Sequence, residues 1–212
     1  MYRQTDSFRK TLKTKIRSEF NHLSVIAFDE LNVVRISKEL KETYKRLLEF
    51  NREQYRAIVR EAHEYALLFL SVDKDKINED DYVDYVLSTY NPVTGYLYEK
   101  EAERKRLRQG EEMATALTYL DRQRYQSAIQ KSANLWFTQS GQYAIDLEDY
   151  TVLETWKKHD VKKVQWIAED DNKTCSVCKK RDGQIYDIDK VPTKTHYNCR
   201  CTVVPYVVDI DS

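Results

Sequence analysis

The chain has 212 residues, which is enough for one or two domains. Its 35 lysines and arginines balance 35 aspartates and glutamates, so net charge gives no reason to expect nucleic acid as the main partner. Hydrophobic residues make up 41% of the chain, and there are only four glycines and three prolines. This composition favours a helix-rich fold and argues against extended disorder. The longest near-continuous apolar stretch, residues 65–72, is too short to cross a bilayer, so we expect no membrane partner.

Three helices are predicted in the first half of the chain. Residues 8–28 have the pattern of a helix, and residues 31–70 contain neither glycine nor proline. Apolar residues recur in the second segment at intervals of three or four, as they do on one face of a long helix. Asn78 is followed by three acidic residues, which predicts a helix start there and an end near Ser88. Asn91 and Pro92 then end this third helix.

A second long helix is predicted from about residue 98 to residue 140, with Met113 and Leu117 on its apolar stripe. Gly110 is expected to be a weak point or a kink in this helix. Helices of this length cannot bury their apolar stripes alone. We therefore predict that they pair as a hairpin, a bundle or a coiled coil.

The beginning of that helix, residues 99–108, is almost wholly charged, with acids before bases. Two interpretations remain open. The bases could contact nucleic acid or an acidic partner, or the segment could be a solvated face whose charges pair along the helix. The candidate contact residues are Arg104, Lys105, Arg106 and Arg108.

The last part of the chain changes in character. Thr151 stands three residues before Glu154, which predicts a capping box and a short helix to about His159. Strand-type residues follow, with a hairpin-type turn at Asp182-Gly183. The predicted strands lie in residues 161–167, 184–188 and 199–208.

We therefore predict an α+β fold with two regions. Residues 1–145 form a long-helix region, a hairpin or a bundle, that docks on a partner. Residues 146–212 form a small β-rich module with a cluster of cysteines and one histidine. Because so small a module has little apolar core, a metal or disulfide cross-link would stabilise it.

All four cysteines lie in this module, as Cys175-x-x-Cys178 and Cys199-x-Cys201. In an extended segment Cys199 and Cys201 would project to the same face. Two such pairs supply the four ligands of a tetrahedral zinc site. The four cysteines are one ligand set, and His196 in place of Cys201 gives the other. We favour the four cysteines, with His196 beside the site.

The cysteines could instead form two disulfides or remain as four reduced thiols. The polar start of the chain, residues 1–6, shows no secretory signal, so we expect a reducing cytosol, where disulfides are rare. Zinc in this cluster would be structural, because the protein supplies all four ligands and leaves no position for water or substrate.

The module resembles a known family. The pattern is Trp166, Asp171, Thr174-Cys175-x-x-Cys178, Arg181-Asp182-Gly183, Pro192 and His196-x-Asn198-Cys199-Arg200-Cys201. It is similar to the C-terminal signature of the phage Mu F-like head morphogenesis proteins, also called minor head or minor capsid proteins. Residues 90–96 and Glu101-x-x-Arg104-Lys105-x-x-x-Arg108 resemble the middle of the tailed-phage members, so the likeness spans about residues 90–205. Tyr197 departs from the pattern, where members usually have proline.

The resemblance implies a structural protein carried in few copies in the procapsid and virion of a tailed double-stranded DNA phage or related element. It implies association with the portal protein and other head proteins, and a role in head morphogenesis. Some members are linked to DNA packaging or ejection and bind double-stranded DNA. The expected location is the bacterial host cytoplasm during assembly and then the virion interior near the portal vertex.

The alternative function is a zinc-stabilised DNA-binding protein that acts outside any capsid. We predict no enzyme and no small-molecule substrate. A zinc deaminase would need a His-x-Glu motif in partnership with the cysteines, and His63-Glu64 has the wrong spacing. A cysteine hydrolase would need one thiolate beside a histidine, whereas four clustered cysteines are more typical of a metal site. The three tryptophans are predicted to be core residues or anchors at the interface of the module.

Overall fold

The structure is a computed structural model that describes residues 3–25, 33–89, 98–169, 172, 174–194, 196 and 199–206. Within this part of the chain, a set of helices precedes a small antiparallel sheet, which confirms the predicted α+β class. None of the helices in the described ranges has the length and apolar content needed to cross a bilayer. The elements are α1 (Arg3–Ser24), α2 (Val33–Leu70), α3 (Glu79–Ser88), α4 (Tyr98–Thr118), α5 (Arg122–Lys158), β1 (Lys163–Ile167), α6 (Ser176–Arg181), β2 (Ile185–Asp187) and β3 (Thr202–Pro205).

Helices α1 to α5 form a bundle, one of the predicted arrangements. Helices α2 and α5 pack against each other, and α1 and α4 each contact both of them. The predicted apolar stripe of α2 lies inside the bundle, where Ile36, Leu40, Leu47 and Ile58 are buried. These side chains, with Phe8, Leu12, Met113, Leu117 and Trp136, belong to the first of two hydrophobic cores.

Helix α3 begins as predicted. The side chain of Asn78 accepts a hydrogen bond from the backbone N–H of Asp80, at 3.3 Å. The first acids of α3 also pair with arginines spaced four residues apart on α2, because Arg52 and Arg56 contact Asp80 and Arg60 contacts Glu79. These pairs hold α3 against α2. The predicted stop at Asn91 and Pro92 lies outside the described residues.

The second long helix was predicted wrongly, because residues 98–140 belong to two helices. Helix α4 continues through Gly110 and ends at Thr118. Leu120 then adopts a left-handed conformation, with φ of 51°. The side chain of Asp121 caps α5 by accepting from the N–H of Arg124, at 2.8 Å. The apolar spacing hides this break because both helices pack against the same core.

The predicted capping box at Thr151 was wrong, because α5 already runs through this position. Thr151 lies in the interior of α5, where its hydroxyl donates to the carbonyl of Leu147, at 2.8 Å. Since residues 143–145 and Leu147 are buried, helical packing continues through the predicted start. The predicted end is confirmed, because α5 stops at Lys158 with His159 as its C-cap.

Three helices end in the same motif without glycine. Ser71, Leu120 and Asp160 each have positive φ just after α2, α4 and α5. In each case the N–H of the following residue bonds a carbonyl five residues back, as in a Schellman motif. Each of these residues therefore occupies a position at which glycine would avoid a steric cost.

The sheet has the order β2-β1-β3, and both pairings are antiparallel. Val164 faces Tyr186 on one side and Pro205 on the other. The turn at Asp182-Gly183 forms as predicted, with φ of 73° at Gly183, but it connects α6 to β2 and not two strands. Pro205 ends β3, which is consistent with the exclusion of proline from strand interiors.

A second core lies beneath this sheet. It combines Trp166 of β1 and three of the cysteines with Trp156 of α5 and Ala62 and Ala66 of α2. The indole N–H of Trp156 donates to the carbonyl of Ala66, at 3.1 Å. The sheet therefore completes its core with the ends of two bundle helices.

Leu120→Gly should stabilise the protein. Leu120 is 55% exposed and makes little use of its side chain. A residue other than glycine in the left-handed conformation destabilises the folded state by about 1–2 kcal/mol. Glycine removes this cost, but its greater flexibility in the unfolded chain offsets about 0.5–1 kcal/mol of the gain. We expect the free energy of unfolding in urea to rise by about 0.5–1 kcal/mol. As a control, Glu111→Gly at an exposed site inside α4 should lower it by about 1 kcal/mol. If both substitutions lower the free energy of unfolding, the role given to Leu120 is contradicted.

Glu148 predicts a pH dependence of stability. It is buried in α5, where it accepts a hydrogen bond from the Thr5 hydroxyl at 2.6 Å, and burial raises its pKa from 4.5 to about 7. Because the folded pKa exceeds the unfolded one, its contribution is fully present below pH 4.5 and is lost as the pH rises to about 7. As the pH rises across this window, the free energy of unfolding of the wild type should fall by up to about 3 kcal/mol relative to that of Glu148→Gln. Urea denaturation of both proteins at several pH values measures the difference.

Candidate metal centre

The first cysteine pair lies at the start of α6. Cys175 is the N-cap, and Cys178 is buried in the first turn of the helix. The N–H of Cys178 points at the sulfur of Cys175, with the nitrogen and sulfur 3.4 Å apart. The spacing of two residues thus places both thiols at one helix end. The sequence predicted this pair but not the helix that positions it.

The second pair lies just before β3. Cys199 and Cys201 are both buried, and the sulfurs of Cys199 and Cys178 are 3.5 Å apart. All four cysteines are free thiols in the structure. Strand pairing of β3 with β1 and the connection from β1 to α6 bring the two pairs together.

The five side chains of the two predicted ligand sets form two overlapping groups. Cys175, Cys178 and His196 form one group, and Cys178, Cys199 and Cys201 form the other. Within each group the candidate ligand atoms lie within 4.8 Å of one another. Cys178 belongs to both groups, so it lies at the centre of the cluster. Each group offers three donors that could hold a metal ion, and each predicted set of four takes its donors from both groups.

Burial and hydrogen bonding give the thiols different acidities. The pKa of Cys175 is lowered to about 7, chiefly because the N–H of Cys178 donates to its sulfur. Burial raises the pKa of Cys178 and that of Cys199. Two of these sulfurs thus resist becoming thiolates on their own, and a bound cation would favour their ionised forms.

Two charged residues near the cluster were not among the predicted site residues. Lys194 is nearly buried, its ammonium group is 2.5 Å from a carboxylate oxygen of Asp149 on α5, and its charge acts on Cys199. Arg181 of α6 lies over the ring of Trp166, 5.1 Å from the centroid. No spacing rule in the sequence marks Lys194, because its partner lies far away in the chain. These contacts connect the cysteine cluster to α5 and to the sheet.

The predicted contact residues on α4 lie in the helical bundle, on a different element from the cysteines. Lys105 contacts Glu101 at 2.6 Å, Arg106 contacts Glu103, and Arg108 lies 3.6 Å from Glu112. The side chains of Lys105 and Arg106 are 18% and 15% exposed, and that of Arg108 is 75% exposed. Lys105, Arg106 and Arg108 thus have acidic neighbours on their own helix.

Comparison with known proteins gives one family. Residues 105–204 match the model of the family described as phage Mu protein F like protein. The match covers just under half of the chain and includes α5, the four cysteines and nearly all of the sheet. No curated protein and no solved structure matches the chain significantly.

Proposed function

We propose that the chain is a minor head protein of a tailed double-stranded DNA phage or related element, because residues 105–204 match the model of the phage Mu protein F-like family. The family suggests a phage head morphogenesis protein. In our proposal the protein associates with the portal in the procapsid and takes part in head assembly and in DNA packaging or ejection. The observation that carries the proposal is that the match includes the whole cysteine cluster.

The architecture supports a role in assembly. We propose two regions, residues 1–145 for docking on the portal or another head protein and residues 146–212 as the family module, with α5 passing through both. The long helices give a rigid frame, and the sheet rests on the ends of α2 and α5. Such a protein would be made in the host cytoplasm and carried in the virion interior near the portal vertex.

We further propose that Cys175, Cys178, Cys199 and Cys201 hold a structural zinc ion. The cluster fits zinc because its sulfur donors are close together and most are buried. His196 in place of Cys201 remains the alternative ligand set, because it groups with Cys175 and Cys178. Bound zinc would hold α6 against the segment before β3. With all four ligands from the protein, the proposal gives the cluster no catalytic step.

Metal analysis tests this site. Protein purified without a chelating tag should contain about one zinc per chain by elemental mass spectrometry, with no reactive thiol until a chelator is added. If the four cysteines are the ligands, Cys201→Ser should lose the metal and His196→Ala should keep it. If His196 replaces Cys201, His196→Ala should lose the metal and Cys201→Ser should keep it. Ser176→Ala, at an exposed site between two cysteines, is the matched control. Metal-free protein with four reactive thiols would refute the zinc proposal.

The head-assembly role and the DNA-binding alternative can be separated in one pair of assays. Co-expression with the portal protein of the same phage should give a complex that survives purification. The alternative keeps Arg104, Lys105, Arg106 and Arg108 as DNA contacts, and it gains support only from the exposed Arg104 and Arg108. On that alternative, Arg104→Ala with Arg108→Ala should weaken duplex binding and reduce its salt dependence by about two charges. DNA binding without portal binding would overturn the head-assembly proposal.

A further inference from the structure

A groove runs between α1 and α5 on the bundle surface. Its volume is about 460 Å³, and its floor is apolar, with Ile16 and Phe20 from α1 and Ile129 and Phe137 from α5. The two helices run antiparallel there, because Thr5 contacts Glu148 at one end and the Tyr125 hydroxyl donates to the carbonyl of Leu23 at the other. An apolar floor between two helices is the type of surface on which another helix packs.

The rim of this groove is positive. Lys13 and Arg17 stand one turn apart on α1, and neither forms an ion pair with another described residue. The polar residues on the α5 side are the amides Gln126, Gln130 and Asn134, spaced four apart. Among the described residues that line the groove there is no carboxylate. The surface therefore favours an amphipathic helix with acidic residues beside its apolar face.

The chain itself exposes such a face at the end of α2. Tyr65, Leu68 and Phe69 share one face of α2, Val72 follows just after the helix, and these residues are 36%, 77%, 46% and 39% exposed. We call these four residues the α2 stripe. Single exposed apolar residues are common, but several close together are typical of a surface that packs against something. The opposite side of this helix, with Ala62, Ala66 and Leu67, is buried in the protein.

Acidic residues accompany the α2 stripe on the same face. Glu61 is exposed and forms no ion pair with a described residue. Glu64 pairs with Lys74 at 3.0 Å, but these side chains are 44% and 72% exposed, so this surface pair can exchange for another. The stripe thus has the apolar and acidic character that the groove favours.

We propose that the α2 stripe of one copy of this chain docks in the α1–α5 groove of a second copy. Residues 13–24 of α1 span about 17 Å of helix, and residues 61–70 at the end of α2 span about 14 Å, so the two segments are of similar length. Leu68 and Phe69 would cover the apolar floor, while Glu61 and Glu64 would face Lys13 and Arg17. Because the two surfaces are different, the contact is head-to-tail and builds open chains or closed rings. This self-association does not depend on the proposed head-assembly function.

The contact is small, so the association should be weak. A patch of this size lies below the roughly 800 Å² per partner of stable complexes, which suggests dissociation constants of micromolar or higher. Sedimentation velocity of the full chain in reducing, low-salt buffer, between about 10 and about 500 µM, should show a sedimentation coefficient that rises with concentration. Higher salt should weaken the association, because the facing charges are at the surface.

Paired variants test the head-to-tail geometry. Lys13→Glu with Arg17→Glu disables the groove, and Glu61→Lys with Leu68→Lys disables the stripe. Each variant alone should associate at least about tenfold more weakly than the wild type. Mixed together they should form a one-to-one complex and nothing larger, because each still carries one intact surface. Circular dichroism should show that both variants keep the wild-type helix content.

Matched control variants carry the same kinds of substitution at exposed sites outside the groove and the α2 stripe. Arg35→Glu with Lys38→Glu changes two exposed charges on α2, and Leu48→Lys changes another exposed leucine. These variants should associate like the wild type. The inference is overturned if the wild type stays monomeric over the whole range, or if the mixed variants fail to form a complex. It is also overturned if the stripe variant abolishes association and the groove variant does not, since that result would indicate contact between two stripes.

Discussion

The hydrogen bond from Trp156 of α5 to Ala66 of α2 joins the two helices on which the small sheet packs. Trp156 is fully buried, its N–H donates to the Ala66 carbonyl, and its ring lies beside Phe69. The three strands above it have only three to five residues each, too few to form a core of their own. The cysteines and Trp166 therefore pack on side chains that α2 and α5 supply. The position of the candidate metal centre follows from this contact as much as from the sheet.

The sequence predicted those helices that begin or end with a chemical signal, or that carry one uninterrupted stripe. Helix α2 and the Asn78 cap of α3 are the clearest examples, since spacing and capping residues act locally. The break at Leu120 was missed because leucine gives no sign of a left-handed residue. The long extent of α5 was missed because Thr151 and Glu154 match a capping pattern, whereas burial on both sides keeps that segment helical.

For the candidate site, the sequence predicted the cysteines and the histidine but not the charged residues around them. The spacing of Cys175 and Cys178 and that of Cys199 and Cys201 depend on a few neighbouring residues, so sequence alone could pair them. The structure brings these pairs and His196 together through strand pairing across the module. Lys194 and Asp149 could not be found in this way, because a single lysine and a single aspartate far apart in the chain carry no pattern.

Helix α5 has a mechanical consequence for the molecule. It has 37 residues, or about 55 Å of continuous helix, and its side chains enter both cores. A rod of this kind cannot bend sharply in the middle without the loss of backbone hydrogen bonds. A change in the position of the sheet must therefore be absorbed by the packing of α5 against α1, α2 and α4. The left-handed Leu120 and the cap at Asp121 separate this continuous helix from α4 at its other end.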